Sequence, residues 1–308
     1  MSAIRPSLQR RLRRLVPAAA ALLAALGVAA CGSSSSTPSN AKQLISQSLA
    51  AGSLAKIRSG DLSLTLSADL QGVSALGGKP VELQASGPFT AVAGGFEAFD
   101  LAATVSVRGL AIPISIVSTG KALYIELTGT YYAVPSSDLG GLGSEHSSSH
   151  GGGSGMLAKL GIDPSSWLTD PQDVGTATVG GVATEHVSTD IDVTKLISDV
   201  SKILSSDSAL AGASSKVSAA DLSEVASAVK SATIDIYTGS SDHIVREVRF
   251  ALDFDVPQAL AKSADGLTGG SLNLDATITN LNSPETIKGP SSSQPLSGLL
   301  SGGALSGL

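Results

Sequence analysis

The chain has 308 residues, with 20 Lys and Arg against 26 Asp and Glu, a formal net charge of −6 and only 3% aromatic residues. A net-acidic surface repels polyanions, which excludes nucleic-acid binding as the main role. With Cys31 as the single cysteine, an intramolecular disulfide is impossible and stability has to come from packing.

Residues 1–30 read as an export signal. Arg5, Arg10, Arg11, Arg13 and Arg14 precede an uncharged apolar stretch from Leu15 to Ala30, in the order basic, apolar, small. The stretch is shorter than the ~20 apolar residues that span a bilayer, and it contains Pro17 and Gly27. Val28-Ala29-Ala30-Cys31 resembles the bacterial lipobox, in which a diacylglyceryl group alkylates the cysteine sulfur before cleavage makes that cysteine the N-terminus. An ordinary cleavable signal followed by a chance cysteine is the competing reading, and Arg10-Arg11 matches a twin-arginine signal in the pair alone. On the lipobox reading Cys31 is an anchor, and residues 31–40 form a Ser-rich tether too poor in apolar side chains to fold. Cleavage removes five arginines and no acid, which takes the formal charge from −6 to −11.

Residues 41–282 are expected to form one domain, because no linker-like break divides them. Leu44, Ile45, Leu49, Leu54 and Ile57 share a helical face and predict a first helix. Period-two alternation follows, with Leu62, Leu64, Leu66 and Leu70 on one side and Ser63, Thr65, Ser67 and Asp69 on the other. Strands are predicted at 81–85 continuing through 89–92, then at 99–107, 111–118, 122–127 and 131–134. Their links are too short for crossover helices, so the meander is antiparallel. Residues 136–155 are a low-complexity Gly/Ser loop. Two strands are expected at 175–179 and 182–191. A helix capped by Asp192 then presents Val193, Leu196, Ile197, Val200, Ile203 and Leu204. A second helix starting at Ser218 presents Leu222, Val225, Ala226 and Val229. Strands resume at 232–237, 248–256 and 272–278, and 283–308 is expected to be disordered.

The architecture is therefore α+β: one sheet of roughly ten strands whose apolar face needs the two internal helices as its cover. Either sheet and helices pack dry against each other, or they part around a ligand. The scarcity of aromatic fillers suits an unfilled space, and a GC-rich codon bias accounts for it equally well.

Three stretches, in order, carry a family resemblance. They are Leu123-Tyr124-Ile125-Glu126-Leu127 with Gly129 and Tyr131-Tyr132-Ala133-Val134; Val179-Gly180-Gly181-Val182 through Val187, leading to Ile191-Asp192-Val193; and Ala232 to Tyr237 with His243 to Arg249. They resemble motifs of the mycobacterial LppX, LprA, LprF and LprG lipoproteins, whose fold is similar to that of the LolA and LolB carriers. The resemblance implies a lipid-anchored antiparallel half-barrel whose concave face and covering helices enclose a hydrophobic cavity for acylated lipids or glycolipids. It also implies a place on the extracytoplasmic face of the cell membrane, through lipidated Cys31, and a membrane transporter or acceptor carrier as partner. Tyr131 stands where the family commonly has tryptophan, and the Gly/Ser loop departs from its compact form.

No G-x-S-x-G elbow, P-loop or dinucleotide fingerprint occurs, so no enzyme and no cofactor is expected. Glu145, His146 and His150 could chelate a metal only on a helix, and their Ser/Gly spacer does not build one. Glu185 and His186 are strand neighbours that face opposite ways, and Asp242-His243 is read as an exposed turn. The candidate binding residues are Leu62, Leu64, Leu66, Phe250, Leu252 and Phe254 for the sheet wall. Leu196, Val200, Leu222, Val225 and Val229 are the candidate lid, hinged near Gly212 and Ser214-Ser215. The alternative to a lipid carrier is a packed envelope scaffold or sensor without cargo.

Overall fold

Alternating apolar and polar residues across short turns make consecutive hairpins the cheapest way to satisfy this backbone. The computed structural model, which describes residues 41–49, 56–92, 95–134, 164–206, 226–258 and 266–296, builds them into one sheet. Its strands are β1 (Ser59–Gln71), β2 (Val81–Val92), β3 (Gly95–Val107), β4 (Leu110–Ser118), β5 (Leu123–Leu127) and β6 (Thr130–Val134). They continue as β7 (Leu168–Val179), β8 (Val182–Ile191), β9 (Val229–Gly239), β10 (Val245–Asp255), β11 (Gly269–Thr279) and β12 (Gln294–Pro295). The spatial order is β12-β6-β5-β4-β3-β2-β1-β11-β10-β9-β8-β7, and the sheet stays open. Every pairing is antiparallel except the short parallel contact of β12 with β6. The first meander, β1 to β6, joins the second, β7 to β11, where β1 pairs with β11 along Asp61 to Gln71.

Cross-strand register sorts the side chains. Val187, Ile236, Val248, Ala276, Leu64, Ala85, Ala103, Ile114 and Leu127 stand side by side in one row from β8 to β5. The neighbouring row on the other face reads His186, Tyr237, Glu247, Thr277, Ser63, Ser86, Ala102, Ser115, Glu126 and Tyr131. One face is thus apolar throughout and the other polar, as a period of two requires. Three prolines of the sheet sit where no ladder donor is needed. Pro171 and Pro295 lie on the two edge strands, and Pro113 lies just beyond the Ile114–Leu127 pair where β5 ends.

Among the described residues two helices serve the apolar face. Helix α1 (Ala41–Ser48) buries Ala41, Leu44, Ile45 and Ser48 and lies against β7, β8 and β9. The Ser48 hydroxyl meets that of Thr238 at 2.8 Å and also donates to the Leu44 carbonyl, so both buried hydroxyls are satisfied. Helix α2 (Val193–Ser206) is capped by Asp192, whose carboxylate accepts the Lys195 amide at 3.0 Å while its carbonyl accepts the Leu196 amide. The α2 start is tied to the turn at Pro164–Trp167. The Asp192 amide donates to the Trp167 carbonyl, and the Trp167 indole N–H donates to Asp199 at 2.8 Å. Ala41, Leu44, Ile45, Trp167, Val187, Ile191, Leu196, Ala232, Ile234, Ile236, Phe250 and Leu274 form the dry core.

Several expectations are corrected. Val229 is not helical: residues 226–228 are helical and Val229 opens β9, where its β-branched side chain stands opposite Phe254. Ile57 lies past the first helix in a segment without regular structure, and β7 begins at Leu168, seven residues before the expected Gly175. Disorder was expected from residue 283. Instead 283–296 follow a defined path to β6, with Gly289 against the Tyr124 ring and Thr119. Asp242 and His243 are half-buried, because the Asp242 carboxylate accepts the Ile244 amide and a bond from Arg246. Cys31, the loop 136–155 with its histidines, Leu222, Val225 and the Gly212 to Ser215 hinge lie outside the described residues.

Candidate functional site

The apolar face divides into two halves of different character. Over β7 to β9 it is covered by α1, and Leu196 of α2 and Trp167 join Phe250 of β10 and Leu274 of β11 in the buried core. Over β2 to β5 the same face continues as Leu83, Ala85, Leu101, Val105, Ile112, Ile114, Ile116, Leu123, Ile125 and Leu127, all only half-buried, with Ala103 the buried exception. Phe89 closes the end of this wall. It is 1% exposed and lies over Gly60, where an added β-carbon would sit 3.3 Å from the Phe89 ring and 3.2 Å from Ile278.

Small residues hollow the middle of the wall. Ala85 and Ala103 are cross-strand partners between the larger Leu64 and Ile114. Gly87 follows with φ 152°, and a β-carbon there would lie 2.0 Å from the Asp100 carbonyl oxygen. Only glycine allows that approach. Small side chains thus stand between branched ones on an apolar surface, which can hold a flexible hydrocarbon through burial alone.

None of the sequence-predicted residues among those described lies on the β2 to β5 wall; they fall on β1, β9, β10 and α2. Phe250 and Leu196 are buried in the core, and Leu64, Leu66, Val229 and Leu252 are half-buried and pack directly on it. Leu62 is half-buried on β1, level with Gly87. Phe254 lies over Gly270, 3.2 Å from the position of an added β-carbon. Val200 lies on α2. The Leu83 to Leu127 wall is a surface that the sequence reading does not single out, although its alternation is legible strand by strand. What the pattern does not carry is which half of the sheet the helices cover.

The polar face holds a connected cluster over β8 to β11. His186 bonds to the Asp235 carboxylate at 2.7 Å and stacks on the Tyr237 ring at 4.2 Å and 13°. The Arg249 guanidinium lies 5.0 Å from the same ring, donates to the Tyr237 hydroxyl at 3.2 Å and pairs with Glu247 and Asp275. Burial pushes the Tyr237 hydroxyl pKa above its ordinary value, and the neighbouring carboxylates add to the effect against the pull of Arg249. Charges and planar groups here satisfy one another. Closer to β4, a cavity of about 390 Å³ has a mixed lining, with Ser63, Thr65, Gln84, Ser86, Thr104, Ser115 and Glu126 beside Leu64, Ala85, Ala102, Ala103, Pro113 and Ile114. Among the described residues no group of His, Cys, Asp and Glu is placed to hold a metal ion, and no helix is long and apolar enough to cross a membrane.

No protein-family model matches the chain, and no curated protein matches it. Among solved structures the chain is similar to LprF from Mycobacterium bovis, at 16% identity and a TM-score of 0.40, over 82% of this chain and 97% of that one. It is also similar to the lipoprotein LppX from Mycobacterium tuberculosis, at 12% identity and a TM-score of 0.41, over 80% and 97%. Both names belong to the group that the sequence motifs resemble.

Proposed function

We propose that this chain is a lipid-anchored extracytoplasmic protein that holds acylated lipids or glycolipids against the β2 to β5 wall and carries or presents them. The supporting observation is the wall: a continuous apolar face that is half-buried on β2 to β5, while among the described residues α1 packs on β7 to β9 beside the buried core. Each methylene buried there contributes ~0.8 kcal/mol, so an acyl chain gains affinity without any charged partner. The wall offers contact and no reactive group, which suits carriage and not catalysis. Cys31 is the anchor after loss of residues 1–30, and residues 31–40 are the tether.

The test is native mass spectrometry of the protein lacking residues 1–30 and carrying Cys31→Ala, purified without detergent from a related host, paired with analysis of organic extracts. Stoichiometric lipid is the expected result. A clean apo mass that takes up no added lipid overturns the proposal in favour of a packed scaffold.

A further inference from the structure

The apolar wall has one end that reaches solvent. Along β4 the wall-facing residues run Ile116, Ile114, Ile112 and Leu110, and exposure rises until Leu110 is 57% exposed at the strand's tip. Val107 stands opposite Leu110 and Val105 opposite Ile112, so the stripe is two strands wide where it ends.

The tip carries two cations. Arg108 and Gly109 connect β3 to β4 as a two-residue turn with φ 59° and 79°. Such turns favour Asn or Asp followed by Gly, so an arginine there forgoes the usual preference and projects a guanidinium at the rim. Lys79 comes from the β1–β2 connection, and its ammonium nitrogen is 2.5 Å from the position a Gly109 β-carbon would take. Both cations are exposed. The ion pairs of the described residues employ Lys195, Lys230, Arg246, Arg249 and His186, not Lys79 or Arg108. In a chain of net charge −6 that an anionic surface otherwise repels, this rim is a local reversal of sign around an exposed leucine.

We propose that the β3–β4 tip is a bilayer-docking element: Leu110 inserts among acyl chains while Arg108 and Lys79 bind anionic headgroups. Ile112, Ile114 and Ile116 then form the path by which a lipid slides onto the wall. The inference rests on the lipid-binding reading above and adds the place and headgroup charge of the donor membrane.

The test uses the full exported chain and a pyrene-labelled fatty acid delivered from phosphatidylcholine vesicles with or without phosphatidylglycerol. Equilibrium loading reads the wall and the initial transfer rate reads the tip. Leu110→Glu, and the double variant Lys79→Gln with Arg108→Asn, which keeps a residue that tolerates the left-handed turn, are compared with Val174→Glu, a 56% exposed position on β7. Loading is expected to be unchanged in the double variant and in Val174→Glu, whose positions lie off the wall, and the rate of Leu110→Glu is read relative to its own final loading. Transfer from anionic vesicles slows ~10-fold for Leu110→Glu and for the double variant and is unchanged for Val174→Glu. The double variant's deficit disappears with pure phosphatidylcholine. Normal loading with unchanged rates in the tip variants overturns the docking inference and leaves the lipid-binding reading intact. A wild-type chain that never loads the probe overturns both.

Discussion

Asp192 shows how much one side chain sets locally. Its carboxylate accepts the Lys195 amide at 3.0 Å, and that bond, reinforced by the Lys195 charge, holds its pKa below 3.8. A carboxyl depressed in the folded state stabilises above its unfolded pKa, and the contribution is lost as pH falls through the lower folded value. Asp192→Ala is expected to lower stability by ~1 kcal/mol in urea unfolding at neutral pH, and the gap from wild type should close as the pH is brought below 3.8. An unchanged gap in acid would mean the cap does not act through its charge. This cap was legible because the donor lies three residues away. The partnership of His186 with Asp235 was not, since 49 residues separate them and only the β8–β9 register brings them together. Trp167→Phe probes another long-range pair. Loss of the indole donor to buried Asp199 should cost about 1–3 kcal/mol, read as a shift in the urea midpoint, whereas ring burial alone would be retained.

Strands were the most legible elements, because alternation and turn residues are local signals that tertiary packing reinforced. Their ends were less so. Pairing with Ile191 extends β7 back to Leu168 through two irregularities in register, at Asp170 to Pro171 and at Val174, which no alternation announces. Val229 was assigned to a helix because its spacing from Val225 fits one, but the ladder with β10 claims it. The segment 283–296 was read as disordered from its Gly, Ser and Pro content, yet it reaches β6 and packs Gly289 on Tyr124. A chain ending at Ser283 should leave the β6 edge unpaired and uncover Val117, now 2% exposed opposite Tyr124. Greater light scattering on warming is the expected outcome, and unchanged scattering would show that the strap protects nothing.

At the scale of the molecule, the two halves of one apolar face should answer mutation differently. Phe250→Ala, in the buried core, should cost ~3–5 kcal/mol by leaving a cavity among Ile234, Leu274 and their neighbours. Ile114→Ala, on the half-exposed wall, should cost far less in unfolding experiments while weakening uptake of a fluorescent fatty acid. Equal destabilisation at both sites with no change in uptake would place Ile114 in an ordinary core. The alternation of most strands, the antiparallel meander and the cap of α2 were legible along the chain, since each depends on residues close in sequence. Long-range packing set the rest: α1 covers β7 to β9, β2 to β5 keep a half-buried apolar face, and Leu110 ends that face at the rim. Those outcomes depend on which equally apolar surfaces meet, and hydrophobic burial has no direction that a local pattern can record.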